Sequence, residues 1–329
     1  MTLTLTEFPL ATASAFPNSI TSGPDGNLWF TESAANKIGR ISPQSPHTIT
    51  EFPLSIANSE PFGVIAGPDG NLWFVEVGAN QIARISPQSP NPITEFPIPS
   101  ASSYPQGIAV GPDGNLWFTE SGVNKLGRIL PQSPHTITEF PLATTNAGPF
   151  DIVAGPDGNL WFTEYLVSRI GRISPQTPDA ISEFSTGYGV PFGITTGPDG
   201  ALWYTEAVYF TQTSGIGRIP ADNPSLISDV VLPSVPLDAT FAITAGPDDN
   251  VWFIEADQIG QAMPRNFPSG IRLSVIATRG FAQRGHYGIT GGPDGNVWFA
   301  NANDNKIVRA TLPATGTTTS PHRARRKRR

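Results

Sequence analysis

The stretch GPDGNLWFTE, residues 23–32, joins a tight turn to a short apolar strand, and the chain carries seven versions of it. Proline presets φ, the aspartate bonds to nearby backbone, and the second glycine takes the positive φ that the turn requires. The strand that follows carries three adjacent apolar residues, Leu28, Trp29 and Phe30, instead of alternating apolar and polar ones. Such a run predicts a strand buried on both faces. Tryptophans at 29, 73, 117, 161, 203, 252 and 298 mark the period, with spacings of 42 to 49 residues.

Working outward from this motif, each repeat reads as four strands. In the second repeat they are GVIAG (63–67), NLWFVE (71–76), QIARI (81–85) and ITEFPI (93–98). Repeats of ~40–50 residues with four strands each are the signature of a β-propeller. Proline and glycine inside every unit exclude a helical array of similar period. The fold class expected is therefore all-β, a seven-bladed β-propeller over residues 1–313. Pro53, Pro97 and Pro141 fall in fourth strands, and a residue without an N–H belongs on an outer edge. The chain opens on TLTEFPLA (4–11), which matches the end of a repeat, and the last repeat stops after its third strand, NKIVRATLP (305–313). Residues 3–9 are thus expected to complete the seventh blade beside residues 305–311 and to close the ring.

Composition narrows the function classes. Among 329 residues there are 33 glycines, 34 prolines and no cysteine, which removes disulfides, thiolate metal sites and cysteine nucleophiles together. No segment has the roughly 18 consecutive apolar residues of a membrane helix. The N-terminus lacks the basic start and apolar run of a signal peptide, so the sequence favours a cytoplasmic location over a secreted one. Net charge is −7, yet six of the last seven residues, 323–329, are basic; without them 14 basic residues stand against 27 acidic ones, near −13. An acidic body repels phosphates, so no nucleic-acid partner is expected for the folded part, which we read as a monomer.

One face of the ring collects the loops between second and third strands together with the links from blade to blade. The residue ahead of each first strand should ring the central channel there: Asn18, Phe62, Gln106, Phe150, Phe192, Phe241 and Tyr287. Five of the seven are aromatic, and an apolar mouth with a few polar groups suits a small-molecule or peptide ligand, unless the same side chains plug the channel as core. The fifth blade has four extra residues between Trp203 and Ile216, which place Tyr209 and Phe210 over this face. The second strands end in Glu32, Glu76, Glu120, Glu164, Glu206 and Glu255, with Asn301 in the seventh blade. Converging carboxylates suit Mg²⁺ or Ca²⁺, but a group repeated in six blades fits better as an acceptor for backbone N–H groups between blades. His47 and His135 are expected to be solvated on the opposite face, and QAMPRNFPSG (261–270) reads as a longer loop there.

Repeats reading GPDGNLWFTE, NKIGRI and TITEFPL resemble the virginiamycin B lyase (streptogramin lyase) family over about residues 3–313. The resemblance implies a carbon–oxygen lyase that linearises cyclic streptogramin B antibiotics by elimination at the ester, with a histidine base and Mg²⁺ held by glutamates. The family's last-blade Glu-Pro-His-Gly motif falls here on Gly285-His286-Tyr287-Gly288. The metal-ligand glutamate thus becomes Gly285 and the base becomes Tyr287, while His286 lies one residue out of register. Asn301 and Ala302 stand where a further ligand belongs, and Phe241 stands where the family has a substrate-contacting histidine. The nearest remnant of the motif is Glu60-Pro61-Phe62-Gly63.

LPATG (312–316) matches a sortase-type signal, but the apolar span such a signal needs is missing, and coincidence is the better reading. Residues 314–329 read as a disordered Thr/Ser and then Arg/Lys-rich tail able to touch anionic surfaces weakly. Three functional readings remain open. The first is a diverged propeller that binds a small molecule or peptide at the aromatic mouth. The second is an active lyase with His286 or Tyr287 in the catalytic role and Mg²⁺ on Glu60 and Glu76. The third is an interaction scaffold with a plugged channel.

Overall fold

All seven aspartates of the repeated turn accept a hydrogen bond from the indole Nε1–H of their own blade's tryptophan, at 2.8–3.1 Å. The computed structural model describes residues 3–187, 189–208, 213–232, 242–255, 258–275 and 288–313. Gly26 adopts φ +75° as the turn demands, and in the sixth blade Asp249 takes the same conformation at φ 59°. The leading glycine has a different duty. A Cβ on Gly23 would lie 2.4 Å from the Trp29 ring, so only glycine lets the indole fold back onto the turn. Asp25 also accepts from the side-chain amide of Asn27 at 2.8 Å, while the Arg40 guanidinium lies 5.3 Å from the Trp29 ring centre.

The chain forms seven four-stranded antiparallel sheets. The first blade runs Pro17–Ser22, Leu28–Glu32, Lys37–Ile41 and Ile49–Pro53 from the channel outward. Thr4–Pro9 pairs with Lys306–Thr311 as the outer strand of the last blade, in the register Thr4↔Thr311 to Pro9↔Lys306. The ring is therefore closed by the N-terminal strand, as the opening TLTEFPLA implies. Second strands such as Leu28–Glu32 and Leu72–Glu76 are buried at every residue. Strand alternation explains it: Trp29 packs on Leu72 and Phe74 of the following blade, while Leu28 and Phe30 meet Trp298 of the preceding one. Among the described residues the core is a ring of such clusters, each shared between neighbouring blades.

One expectation about the opposite face is corrected. His47 and His135 are half-buried: His47 packs against Phe8 at 4.8 Å, and His135 against Phe96 at 4.8 Å, each covering the tryptophan stack of the preceding blade. The QAMPRNFPSG segment holds a short 3₁₀ turn, Pro264–Asn266, and presents Phe267 edge-on to Trp203 at 4.7 Å. The fourth strand of the fifth blade, Ser228–Val231, has Val230 where five of the other blades have the stacking phenylalanine, and Phe267 takes over that contact. Leu312, the first residue of LPATG, donates its N–H to Asn296 Oδ1 at 3.0 Å and packs on the core of the closing blades. Residues 314–329 lie outside the described part. No helix among the described residues is long and apolar enough to cross a membrane.

The turn aspartate can be tested in the second blade, where Asp69 accepts from Trp73 at 2.9 Å and from the Asn71 side chain at 2.7 Å. Asp69→Ala leaves a buried indole N–H unpaired and should cost about 1–3 kcal/mol in urea unfolding, with Asp69→Asn costing less because it keeps an acceptor.

Candidate functional site

The mouth of the channel is built by threonines at the fourth place of the second strand. Thr119 Oγ1 accepts from Gly107 N–H of its own blade at 3.0 Å and donates to the Phe150 carbonyl of the next at 2.8 Å. Thr31 does the same between Ser19 N–H and the Phe62 carbonyl, and Thr163 between Asp151 N–H and the Phe192 carbonyl. Each threonine thereby fixes the backbone of a rim aromatic on its neighbour. Residues at this place share the face of the tryptophan two positions earlier, which is the face turned to the next blade.

The glutamates that follow do not play the part expected of them. The carboxylates of Glu32, Glu76 and Glu164 are buried and have no protein hydrogen-bond partner among the described residues. They lie on the other face of the strand, so the backbone groups bonded by the threonines are out of their reach. Burial and the neighbouring Glu51 push the Glu32 carboxyl up to about 7, partly offset by Lys37. Burial and Glu95 push Glu76 to about 7, with Gln81 standing where Lys37 stands in the first blade. Glu51 goes the other way: burial raises it, but hydrogen bonds from Lys37 and Thr12 outweigh this and hold it below the usual range. The buried glutamates are thus neutral acids through mildly acidic pH.

Two adjoining cavities occupy the mouth among the described residues. The inner one, about 180 Å³, lies on the ring axis and is lined by Asn18, Phe62, Gln106, Phe150 and Asp151, with Gly288 and Ile289 of the last blade. The outer one, about 340 Å³, is bordered by Phe16, Ser33 and Glu60 and shares Asn18, Phe62 and Gln106 with the first. Four of the expected rim residues are therefore brought together. Phe192 sits beside them in an aromatic cluster, 5.7 Å from Phe150 and edge-on to it, with Tyr165 6.1 Å away. Phe241, Tyr287, His286, Tyr209 and Phe210 fall outside the described residues.

Glu60 and Glu76 are neighbours along the backbone, Val77 N–H donating to the Glu60 carbonyl at 3.2 Å. Their side chains meet different surroundings: Glu60 is exposed on the outer cavity, and Glu76 is buried inside its blade. Asn301 is engaged by its own turn, donating to Asp304 Oδ2 at 3.1 Å and accepting from Asp304 N–H at 3.1 Å. No group of three or more His, Asp or Glu side chains among the described residues is placed to hold a metal ion, so these residues do not fit an Mg²⁺ site.

Sequence reading passed over Asp151, a carboxylate on the inner cavity. The signal was present, because four of the other blades have glycine at this place: Gly63, Gly107, Gly193 and Gly288. Burial pushes the Asp151 carboxyl up to about 6, against hydrogen bonds from the Ile194 and Ile152 N–H groups that pull it down.

A closed seven-bladed ring with an aromatic-lined mouth defines the class to which this chain belongs, and comparison with known proteins narrows it. The model of the virginiamycin B lyase family matches residues 1–133 and 89–279. A streptogramin B lyase structure is 34% identical over 94% of this chain and 98% of its own, with a TM-score of 0.82. Virginiamycin B lyase from Staphylococcus aureus gives the same identity and TM-score over 94% of this chain and 100% of its own, and its catalytically inactive variant has been solved with quinupristin. Hydrazine synthase of Kuenenia stuttgartiensis, at 16% identity and a TM-score of 0.71, shares the fold alone. The search of curated proteins gives no match. The chain belongs to the virginiamycin B lyase family.

The raised glutamates set a pH dependence whose sign is fixed. An acid that binds its proton more tightly when folded stabilises the fold fully below its unfolded pKa, 4.5 here, and that stability is lost as pH rises through the folded value of about 7. Thermal stability should therefore fall between pH 5 and 8. Glu76→Gln, which cannot ionise, should gain roughly 1–3 kcal/mol over the parent at pH 8 and little at pH 5, read from denaturation at both values.

Proposed function

We propose that this protein is a diverged member of its family that binds a compact small molecule or cyclic peptide at the mouth of the ring. The observation that carries the reading is the pair of adjoining cavities with Asn18, Phe62 and Gln106 as their common wall. A mouth lined by aromatic rings, with a few polar groups to orient the guest, is the usual chemistry of a small-molecule site. The threonine bridges that fix Phe62 and Phe150 preorganise it, which lowers the ordering cost of binding. The sequence departures at Gly285, Tyr287 and Phe241 support binding without the family's elimination chemistry, and the Asn301 side chain is committed to its own turn. The poor fit of Glu60 and Glu76 to a divalent ion supports it as well.

Quinupristin, bound by the S. aureus relative, is the probe of choice. Calorimetric titration should show saturable binding that is indifferent to Mg²⁺, with no linear product by mass spectrometry after prolonged incubation at high protein concentration. Phe62→Ala, which removes the wall shared by both cavities, should weaken binding by about tenfold. Absence of binding would contradict the proposal, and Mg²⁺-dependent linear product would replace it with the lyase reading.

A further inference from the structure

Asp151 carries more charge than its structural duty needs. Its Oδ2 accepts from Ile194 N–H of the next blade at 2.9 Å, and its Oδ1 accepts from Ile152 N–H at 2.9 Å. In the first blade Ser19 occupies the same place, and its hydroxyl accepts the equivalent bond from Val64 N–H at 3.3 Å. A neutral hydroxyl therefore suffices to bridge two blades here. No Lys or Arg among the described residues acts on the Asp151 carboxyl, which burial raises to about 6 against two backbone hydrogen bonds. A buried carboxylate on this mixed polar and aromatic cavity, with no counter-charge among the described residues, is costly, and a cationic guest relieves that cost.

The amides of the same cavity point to the same guest. Ser121 Oγ donates its one proton to the Tyr104 carbonyl at 3.0 Å, so toward Gln106 it can only accept. Gln106 must then turn its Nε2 to Ser121, at 3.2 Å, which leaves Oε1 buried without a hydrogen bond from the described residues. Asn18 is fixed the same way: Ser33 Oγ donates to the Pro61 carbonyl at 2.9 Å and accepts from Asn18 Nδ2 at 3.2 Å. The carboxylate of Asp151 and the amide oxygens of Gln106 and Asn18 are acceptors, so the guest has to bring the donors or the positive charge. Phe62 and Phe150, 6.4 Å apart and edge to face, line the same space with aromatic surface that attracts cations. A hard metal ion would ask for several oxygen ligands in close array, whereas one carboxylate among aromatic rings suits an organic cation.

We propose that the inner channel binds an organic ammonium group, with Asp151 as counter-ion, Gln106 and Asn18 as neutral acceptors, and Phe62 and Phe150 as walls. This names the chemistry of the guest at the mouth and rests on the reading of that mouth as a ligand site. Choline and its neutral isostere 3,3-dimethylbutan-1-ol form the test, by calorimetry on the intact protein. Choline should bind at least about tenfold more tightly than the alcohol. Asp151→Ser, which installs the residue found at position 19, should keep the melting temperature and abolish that preference. Equal binding of the two compounds, no choline binding at about 10 mM, or an Asp151→Ser protein that binds choline like the parent would each overturn the proposal. The comparison of choline with the alcohol needs no variant, so it decides the matter even if the substitution impairs folding. A protein that binds quinupristin but not choline would reject the ammonium site and leave the mouth as a ligand site; one that binds neither would reject both.

Discussion

The hydrogen bond from an indole N–H to the aspartate of a tight turn is the constraint on which the rest of this structure depends. It satisfies the one polar atom of a large buried ring and pins the turn against the strand that follows. The ring is then free to present its apolar face to the neighbouring blade. Trp29 reaches Leu72 and Phe74 in this way, and Trp298 reaches Leu28 and Phe30 across the closure. Without that bond each tryptophan would bury an unpaired donor at the interface that carries most of the apolar contact. Because each blade is stabilised only by its neighbours, closure by Thr4–Pro9 is a condition of stability for the whole ring.

The same geometry determines what the mouth can do. In the first, third, fourth and fifth blades the strand that carries the tryptophan has a threonine facing forward and then a glutamate facing back. The threonines spend both hydrogen-bonding functions on the two blades and so hold the rim backbone in place. The described glutamates, set beside acidic residues of the fourth strand, are buried acids that stay neutral through mildly acidic pH, and none of them lines the inner cavity. Among the described residues, those that face the axis include the aromatic rings of Phe62 and Phe150, two amides held by serines and the carboxylate of Asp151. The site is thus rich in acceptors and aromatic surface and poor in the clustered carboxylates that a divalent ion prefers.

Much of this was legible in the sequence because it recurs. Seven tryptophans in register with GPDG turns identify the blades, and an opening strand that matches the end of a repeat identifies the closure. Asn18, Phe62, Gln106 and Phe150 could be placed on the rim from their offset to the first strand. The glutamates were misread for want of a face assignment. Residue parity with Trp29 puts Thr31, and not Glu32, on the side that meets the next blade. His47 and His135 recur at one place in the PQSPHTITEFPL segment, but the repeat does not show that this loop reaches the preceding blade's tryptophan, and Phe267 lies in a loop with no counterpart in the other blades. Asp151 was visible as a departure from glycine, yet its significance depends on Ser19, which shows what the position needs without the charge.

The most direct test of the account is hydrogen exchange of the tryptophan indole N–H groups in a ¹⁵N-labelled sample of the intact chain. Seven indole resonances that exchange slowly, with Asp69→Ala accelerating that of Trp73 far more than the others, are the predicted result. Several indoles exchanging at the rate of free tryptophan in the parent protein would contradict it.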